Sequence, residues 1–413
     1  MTPRSFAVQK GSPFTMIASK EQRTAKALGR LGAENAFQVL ARAREIEATG
    51  KRVVHMEIGE PDFDTPEHIK HAATEAMQKG YTHYSPSAGI MELRECVADF
   101  VSRFRGLTPA YTPANVTIGP GLKPIVWNLL SALLDPGDEF MYFDPAYPAY
   151  ASAASYLEAK IVPIPLQESR NWRMDLDELE RRASDNTKVL LINSPHNPTG
   201  GVLTRSDLER IAEIAIRHDI LVIADEIYSR NFYLDTPYLS IATLPGMRER
   251  TVILDGFSKA YAMTGWRLGY AVGPEKIINA TTLFNNNTFS CVATFVQMAG
   301  IAALTGPEKP VHEMNEMFRK RRDKIVAGLN EIPGFSCKMP EGAFYAFANV
   351  QQITHDDRKL ATYLLENAGV ALTGGAAFGK AGEGYLRFSY AASLEDIDYA
   401  LAQIKATLPN FKA

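Results

Sequence analysis

Six short, largely apolar runs, each closed by a glycine, a proline or a polar loop, constrain this chain more than any other feature. They are residues 116–118 (VTI), 139–143 (EFMYF), 160–164 (KIVPI), 188–192 (KVLLI), 220–224 (ILVIA) and 252–254 (VIL). Helix-like segments separate several of them, such as 123–134 and the stretch after Thr204. Thr204 and Asp207 form a capping box, and Leu208, Ile211, Ile214 and Ala215 share one face beyond it. Near-continuous apolar strands alternating with helices build a parallel sheet covered on both faces.

The remainder of the chain organises around that block. Its 413 residues exceed what one hydrophobic core usually serves. Residues before about 33 are polar and punctuated by glycine, and are expected to form an extended arm. A helix is expected over 36–49, stopped by Gly50, then a strand over 53–58 and two helices near 66–78 and 89–104. Past residue 310 the character changes. An amphipathic helix carrying Met314, Met317, Phe318, Arg321, Ile325 and Leu329 leads to strands at 342–350 and 385–390 and a last helix capped by Ser393 and Asp396. The expected division is therefore 1–65, an arm with part of a small domain; 66–310, a large domain; and 311–413, the small domain.

Composition excludes several classes. A formal net charge of −3 provides no broad basic field for nucleic acid or an anionic membrane surface. Three scattered cysteines, Cys96, Cys291 and Cys337, form neither a disulfide scaffold nor a zinc site. No run is long and apolar enough to span a bilayer, and the first residues lack the apolar centre of a secretory signal. A cytoplasmic protein without a metal site is expected.

In an open parallel sheet, ligands bind beyond the carboxyl ends of the strands, and polar residues recur there. Gly119-Pro120-Gly121 before a helix reads as either a tight turn or a cup of backbone N–H groups for an anion. Asn197, in SPHNPTG, is a turn residue or a ligand-facing amide. Asp225 closes an apolar strand, where a carboxylate is costly unless paired with a cation. Tyr228 lies one short turn further on. Glu226 is expected to point away, as a structural or solvent-facing group, and His196 to be structural. Lys259 sits in a nearly apolar segment, with no other charge until Arg267. It reads as either an exposed lysine of a surface loop or a desolvated one, whose pKa falls so that part of its amine is neutral and nucleophilic.

The strings GEPDFDTP, YSPSAG, SPHNPTG, DEIY and SKAYAMTGWRLGY, in that order from about residue 30 onward, resemble the class I/II aminotransferases of the pyridoxal-phosphate fold type I superfamily. The resemblance implies an α/β fold: a large domain with a mostly parallel seven-stranded sheet covered by helices on both faces, plus a smaller α+β domain. It implies pyridoxal 5′-phosphate, held by Lys259 as an internal aldimine, with Lys259 then the base that moves the substrate Cα proton. Asp225 pairs with the ring nitrogen, Asn197 and Tyr228 bond the ring oxygen, and Tyr147 stacks on the ring. Ser258 and Arg267 bind the phosphate with Gly121, Leu122 and Lys123, although GPGLK is longer than the family's usual cup. Tyr84 reaches the phosphate from a second subunit, which places the site at a homodimer interface. Arg387 holds the substrate α-carboxylate, with Asn197 and the Gly59 backbone beside it.

The activity so implied is transfer of an α-amino group from an L-amino acid to a 2-oxo acid, by a ping-pong cycle through pyridoxamine phosphate. PHNP also occurs in related carbon–sulfur lyases, so a lyase or another elimination or cyclisation enzyme of the same fold is the alternative. The segment 284–295 (FNNNTFSCVATF) is polar and uncharged, which disfavours strict specificity for aspartate.

Overall fold

The computed structural model describes residues 24–32 and 35–412. Most of the expected N-terminal arm lies outside the described residues. In chain order the first part comprises α1 (Asn35–Glu47), β1 (Val54–His55), α2 (Glu67–Gln78), α3 (Met91–Arg105), β2 (Val116–Gly119) and α4 (Leu122–Leu133). Then come β3 (Glu139–Asp144), α5 (Ala149–Tyr156), β4 (Lys160–Gln167), β5 (Arg173–Met174), α6 (Leu176–Arg182), β6 (Thr187–Asn193) and α7 (Arg205–Arg217). The chain continues through β7 (Leu221–Asp225), β8 (Thr251–Gly256), β9 (Gly269–Val272), α8 (Glu275–Thr288), α9 (Thr294–Thr305) and α10 (Lys309–Asn330). It ends with β10 (Ser336–Cys337), β11 (Tyr345–Asn349), α11 (Asp357–Ala368), β12 (Val370–Ala371), β13 (Thr373–Gly374), β14 (Tyr385–Ser389) and α12 (Leu394–Thr407).

The large sheet has the order β2-β9-β8-β7-β6-β3-β4-β5. Neighbours from β8 to β4 pair in parallel, whereas β9 runs antiparallel to both β2 and β8. Seven strands were expected; the eighth is the two-residue β5, a short antiparallel addition at the edge. Alternate side chains of β6 enter different cores. Val189 and Leu191 pack with α4 and α5 residues such as Leu129 and Ala153, whereas Leu190 and Ile192 pack with Leu208 and Ile211 of α7. Period-two alternation with both sets apolar is why these runs show no polar face. The predicted capping box starts α7, with Thr204 Oγ1 accepting from the Asp207 N–H and Asp207 accepting from the Thr204 N–H.

A second, antiparallel sheet has the order β10-β11-β14-β13 and packs against α10 and α12. Its β14 covers most of the strand expected at 385–390. Leu386 and Phe388 enter the core under α10 and α12, while Tyr385 packs with Trp172 and Phe347. The strand expected over 53–58 shrinks to Val54–His55, which pairs in parallel with β12. Its later residues leave the ladder, and their backbone serves the site instead. No helix among the described residues is long and apolar enough to cross a membrane.

Candidate active site

The carboxyl ends of β6, β7 and β8 open into a cavity of about 570 Å³, closed on its far side by β13 and β14. It is lined by Gly59, Leu122, Lys123, Tyr147, Asn197, Asp225, Tyr228, Ser258, Lys259, Arg267 and Arg387. Gly121 borders it through Arg267. Twelve of the thirteen expected residues thus converge on one place. Tyr84 does not. Its side chain is 92% exposed and lies outside this cavity. It lies in the loop between α2 and α3, and the expectation for it is a place in the site of a second subunit, not of its own chain.

Lys259 lies in the loop between β8 and β9. Its Nζ donates to the Gly59 carbonyl at 2.5 Å and sits about 6.0 Å from the Tyr228 ring and 5.7 Å from the Phe344 ring. Burial lowers its pKa to about 8, with Glu60 opposing the shift and Arg387 and Arg267 adding to it. The amine is therefore partly unprotonated near neutral pH, as the apolar segment predicts.

Asp225 ends β7, buried. Among the described residues no basic side chain forms an ion pair with it. Its Oδ2 accepts from the Tyr150 hydroxyl at 2.5 Å and its Oδ1 from the Ile227 N–H at 3.1 Å. Desolvation raises its pKa to about 6 despite those two bonds. A cation brought to this carboxylate would recover what burial removes.

The anion cup is built from backbone and guanidinium. Gly121 has φ of +83° and caps the N-terminus of α4. A Cβ there would collide with the Arg267 guanidinium, so glycine is required for Arg267 to lie against the turn. Arg267 itself has φ of +53°, a left-handed conformation held in place by an Nη1 bond to the Thr264 carbonyl at 2.9 Å. Helix N-terminus, guanidinium and the Ser258 hydroxyl together form a site for a dianion. The Lys123 ammonium lies 5.7 Å from the centre of the Tyr147 ring.

At the opposite end, Arg387 of β14 donates to Asn197 Oδ1 at 3.1 Å and to the Glu57 carbonyl. Its guanidinium is held between the rings of Tyr345 and Phe378, each 4.7 Å away. Burial lowers its pKa. Its Nε is buried without a hydrogen-bond partner, and no carboxylate among the described residues ion-pairs with it. A guanidinium in that state is disposed to take a planar anion.

Several participants escaped the sequence reading. Tyr150 lies three residues past Tyr147 in the same DPAYPAY string, and its ring meets Tyr147 edge-on at 5.5 Å. Tyr345 bonds the Tyr228 hydroxyl at 2.7 Å, and its own hydroxyl fills the space a Cβ on Gly59 would take. The only sequence signal for Tyr345 is a hydroxyl inside an otherwise apolar strand. Glu226 is structural, not solvent-facing: it pairs with Arg105 and accepts from Ser240 at 2.6 Å. His196 is buried and bonded to Thr199 at 2.8 Å. Burial lowers its pKa to about 3, so it is a neutral packing group, as expected.

The residues therefore fit a phosphorylated, cationic-ring cofactor: a dianion cup, a buried carboxylate lacking a cation, and a low-pKa amine between them. Comparison with known proteins agrees. The profile of the family described as aminotransferase class I and II matches residues 51–404. The aspartate aminotransferase of Musicola paradisiaca is 37% identical over 385 residues, covering 93% of this chain and 96% of its own. An aromatic-amino-acid aminotransferase of Thermococcus litoralis is 39% identical, covering 87% and 92%. The crystal structure of an aspartate aminotransferase from Rhizobium meliloti superposes with a TM-score of 0.89 at 35% identity, over 95% of this chain and all of its own. On that evidence the chain belongs to the class I and II aminotransferases, enzymes that work with pyridoxal phosphate.

Proposed function

We propose that this chain moves an α-amino group from an L-amino acid to a 2-oxo acid in two successive half-reactions at the cavity described above. The observation that carries this is the pairing, in one cavity, of a low-pKa lysine amine with a buried arginine that has no carboxylate partner among the described residues. Lys259 would hold pyridoxal phosphate, with Asp225 available to its ring nitrogen, Asn197 and Tyr228 to its ring oxygen and Tyr147 to its ring face. Gly121, Leu122, Lys123, Ser258 and Arg267 would hold the phosphate. When bound, the cofactor supplies an electron sink that stabilises negative charge at the substrate Cα.

The chain's own residues do the rest. Arg387 takes the substrate α-carboxylate through two parallel N–H···O bonds, with Asn197 and the Gly59 backbone fixing its plane. That orients the Cα–H bond toward Lys259 Nζ. Lys259 Nζ would take the Cα proton, and a pKa near 8 suits a group that both takes and returns one. The Tyr345–Tyr228 hydroxyl pair fixes the Tyr228 ring against rotation.

We place the site at the interface of a homodimer, with the exposed Tyr84 completing the partner's phosphate cup, in a cytoplasmic enzyme. The domain boundaries fall near residues 65 and 310. Amino donors differ among the relatives, whose names specify aspartate or aromatic amino acids.

The test is to mix the cofactor-loaded enzyme with a panel of single amino acids, without oxo acid. Transfer releases one equivalent of 2-oxo acid per site and stops until 2-oxoglutarate or pyruvate is added. Continuous release of ammonia with pyruvate would instead identify a carbon–sulfur lyase. A dilution series reads the dimer: full activity from a monomer overturns the shared-site arrangement.

A further inference from the structure

Behind the cofactor cavity, the ends of β7 and β8 bring three carboxylates together. The register pairs Asp225 with Leu254, and the Glu226 N–H donates to the Leu254 carbonyl at 2.9 Å, so Glu226 and Asp255 follow side by side. Asp225, Glu226 and Asp255 are 5%, 3% and 4% exposed. Burying neighbouring carboxylates is costly unless a cation offsets their charge.

The cation is Arg105, the last residue of α3, whose side chain is fully enclosed. Its Nε donates to Glu226 Oε2 at 2.5 Å and its Nη2 to Asp255 Oδ2 at 2.6 Å. Its Nη1 is buried with no partner. Besides Asp225, the other titratable groups facing Glu226 and Asp255 are phenols, Tyr111 and Tyr238 toward Glu226 and Tyr238, Tyr261 and Tyr270 toward Asp255, and the Ser240 hydroxyl donates to Glu226. Asp225 is faced by Tyr150 from α5, by Tyr228, by the Lys259 amine and by the two carboxylates behind it.

We propose that Arg105 is a positioning residue for the cofactor: by bridging Glu226 and Asp255 it offsets the two charges behind Asp225 and keeps the Asp225 carboxylate ionised toward the ring nitrogen. This rests on the assignment of Asp225 as the ring partner. Burial is the largest influence raising Asp225, with Asp255 and Glu226 acting in the same direction. Removing Arg105 exposes Asp225 to two unbalanced carboxylates. Removing one carboxylate while keeping Arg105 does the opposite.

The experiment measures the dissociation constant of pyridoxal phosphate between pH 5 and 8 for the full-length protein and its variants. Pairing with the ring cation is lost as pH falls through the Asp225 pKa, so a raised pKa moves this acid limb upward. Arg105→Met is expected to move it up by about one pH unit, a tenfold change in proton affinity. Glu226→Gln is expected to move it down, and Arg105→Lys, which keeps the charge, to leave it near wild type. Shifts in one common direction, or no shift in Glu226→Gln, overturn the proposal, because a merely structural role gives no opposite signs. If Arg105→Met does not fold, the Lys and Gln variants still decide. Asp225→Asn separates the two claims. If it retains the wild-type acid limb, the ring-partner assignment fails. If it abolishes the limb while the other variants do not diverge, only the role of Arg105 fails.

Discussion

Arg105 and Arg387 are both buried, but they are buried in opposite ways. Arg105 is clasped by two carboxylates, whereas Arg387 meets a carbonyl oxygen, an amide oxygen and two aromatic faces, with no counter-ion among the described residues. Burying a charge is costly unless it is paired. Arg105 has its pairing built into the fold. Arg387 leaves part of that cost unmet until a ligand anion arrives. The difference separates a residue that holds the strand ends from one that awaits a substrate, and neither burial nor residue type alone makes the distinction.

The comparison can be broken most directly at the amine lying between the two. Lys259→Ala is expected to lose activity by at least on the order of 10³-fold and to lose the cofactor adduct trapped by borohydride. The unfolding midpoint, read by circular dichroism, stays unchanged, because both arginines keep their partners. Turnover at the wild-type rate would remove Lys259 from the site.

Next in size is Arg105→Met. Taking the cation from a buried pair leaves uncompensated carboxylates, and about 3–5 kcal/mol of stability is expected to go, read by urea unfolding. A loss below about 1 kcal/mol would mean that the pairing of Arg105 is not what stabilises its burial. Arg387→Met should reverse that pattern. KM for every amino donor rises by about 100-fold, roughly 3 kcal/mol of lost charge-assisted bonding, with cofactor affinity preserved. Its stability is unchanged or higher, since an uncompensated buried charge has gone. Equal losses of stability in the two variants would erase the distinction. The smallest effect belongs to Tyr345→Phe. It deletes the hydroxyl bonded to Tyr228 and is expected to lower kcat/KM by about 1 kcal/mol, roughly fivefold, while KM-independent stability moves little.

Much of the architecture was legible because the signals are local. Apolar runs without a polar face predicted strands buried on both sides, and the alternate packing of Val189 and Leu190 shows why. The Thr204–Asp207 box, the Ser393 cap and the Gly121 turn are each set within a few residues. Asp225 could be singled out because it closes an apolar strand, whereas Lys259, Asn197 and Arg387 took their roles from the set of motifs read together. Partners set by distant neighbours were out of reach of the sequence reading. The Tyr150 hydroxyl donates to Asp225. Glu226, expected to be structural or solvent-facing, is tied to Arg105 from 121 residues away. Tyr84, expected to act from a second subunit, lies outside the cavity of its own chain.

By itself, then, the sequence determined the strand-and-helix alternation, the turns at the strand ends and the kind of chemistry each end carries. These follow from periodicity and backbone preference, which act over a few residues. The tertiary structure alone decided which ends share a cavity, placing Arg387 against Asn197 across 190 residues and bringing Glu226 and Asp255, beside Asp225, onto one arginine. Strand order fixes such meetings. It is set by how whole helices cover the sheet, and no local pattern encodes it.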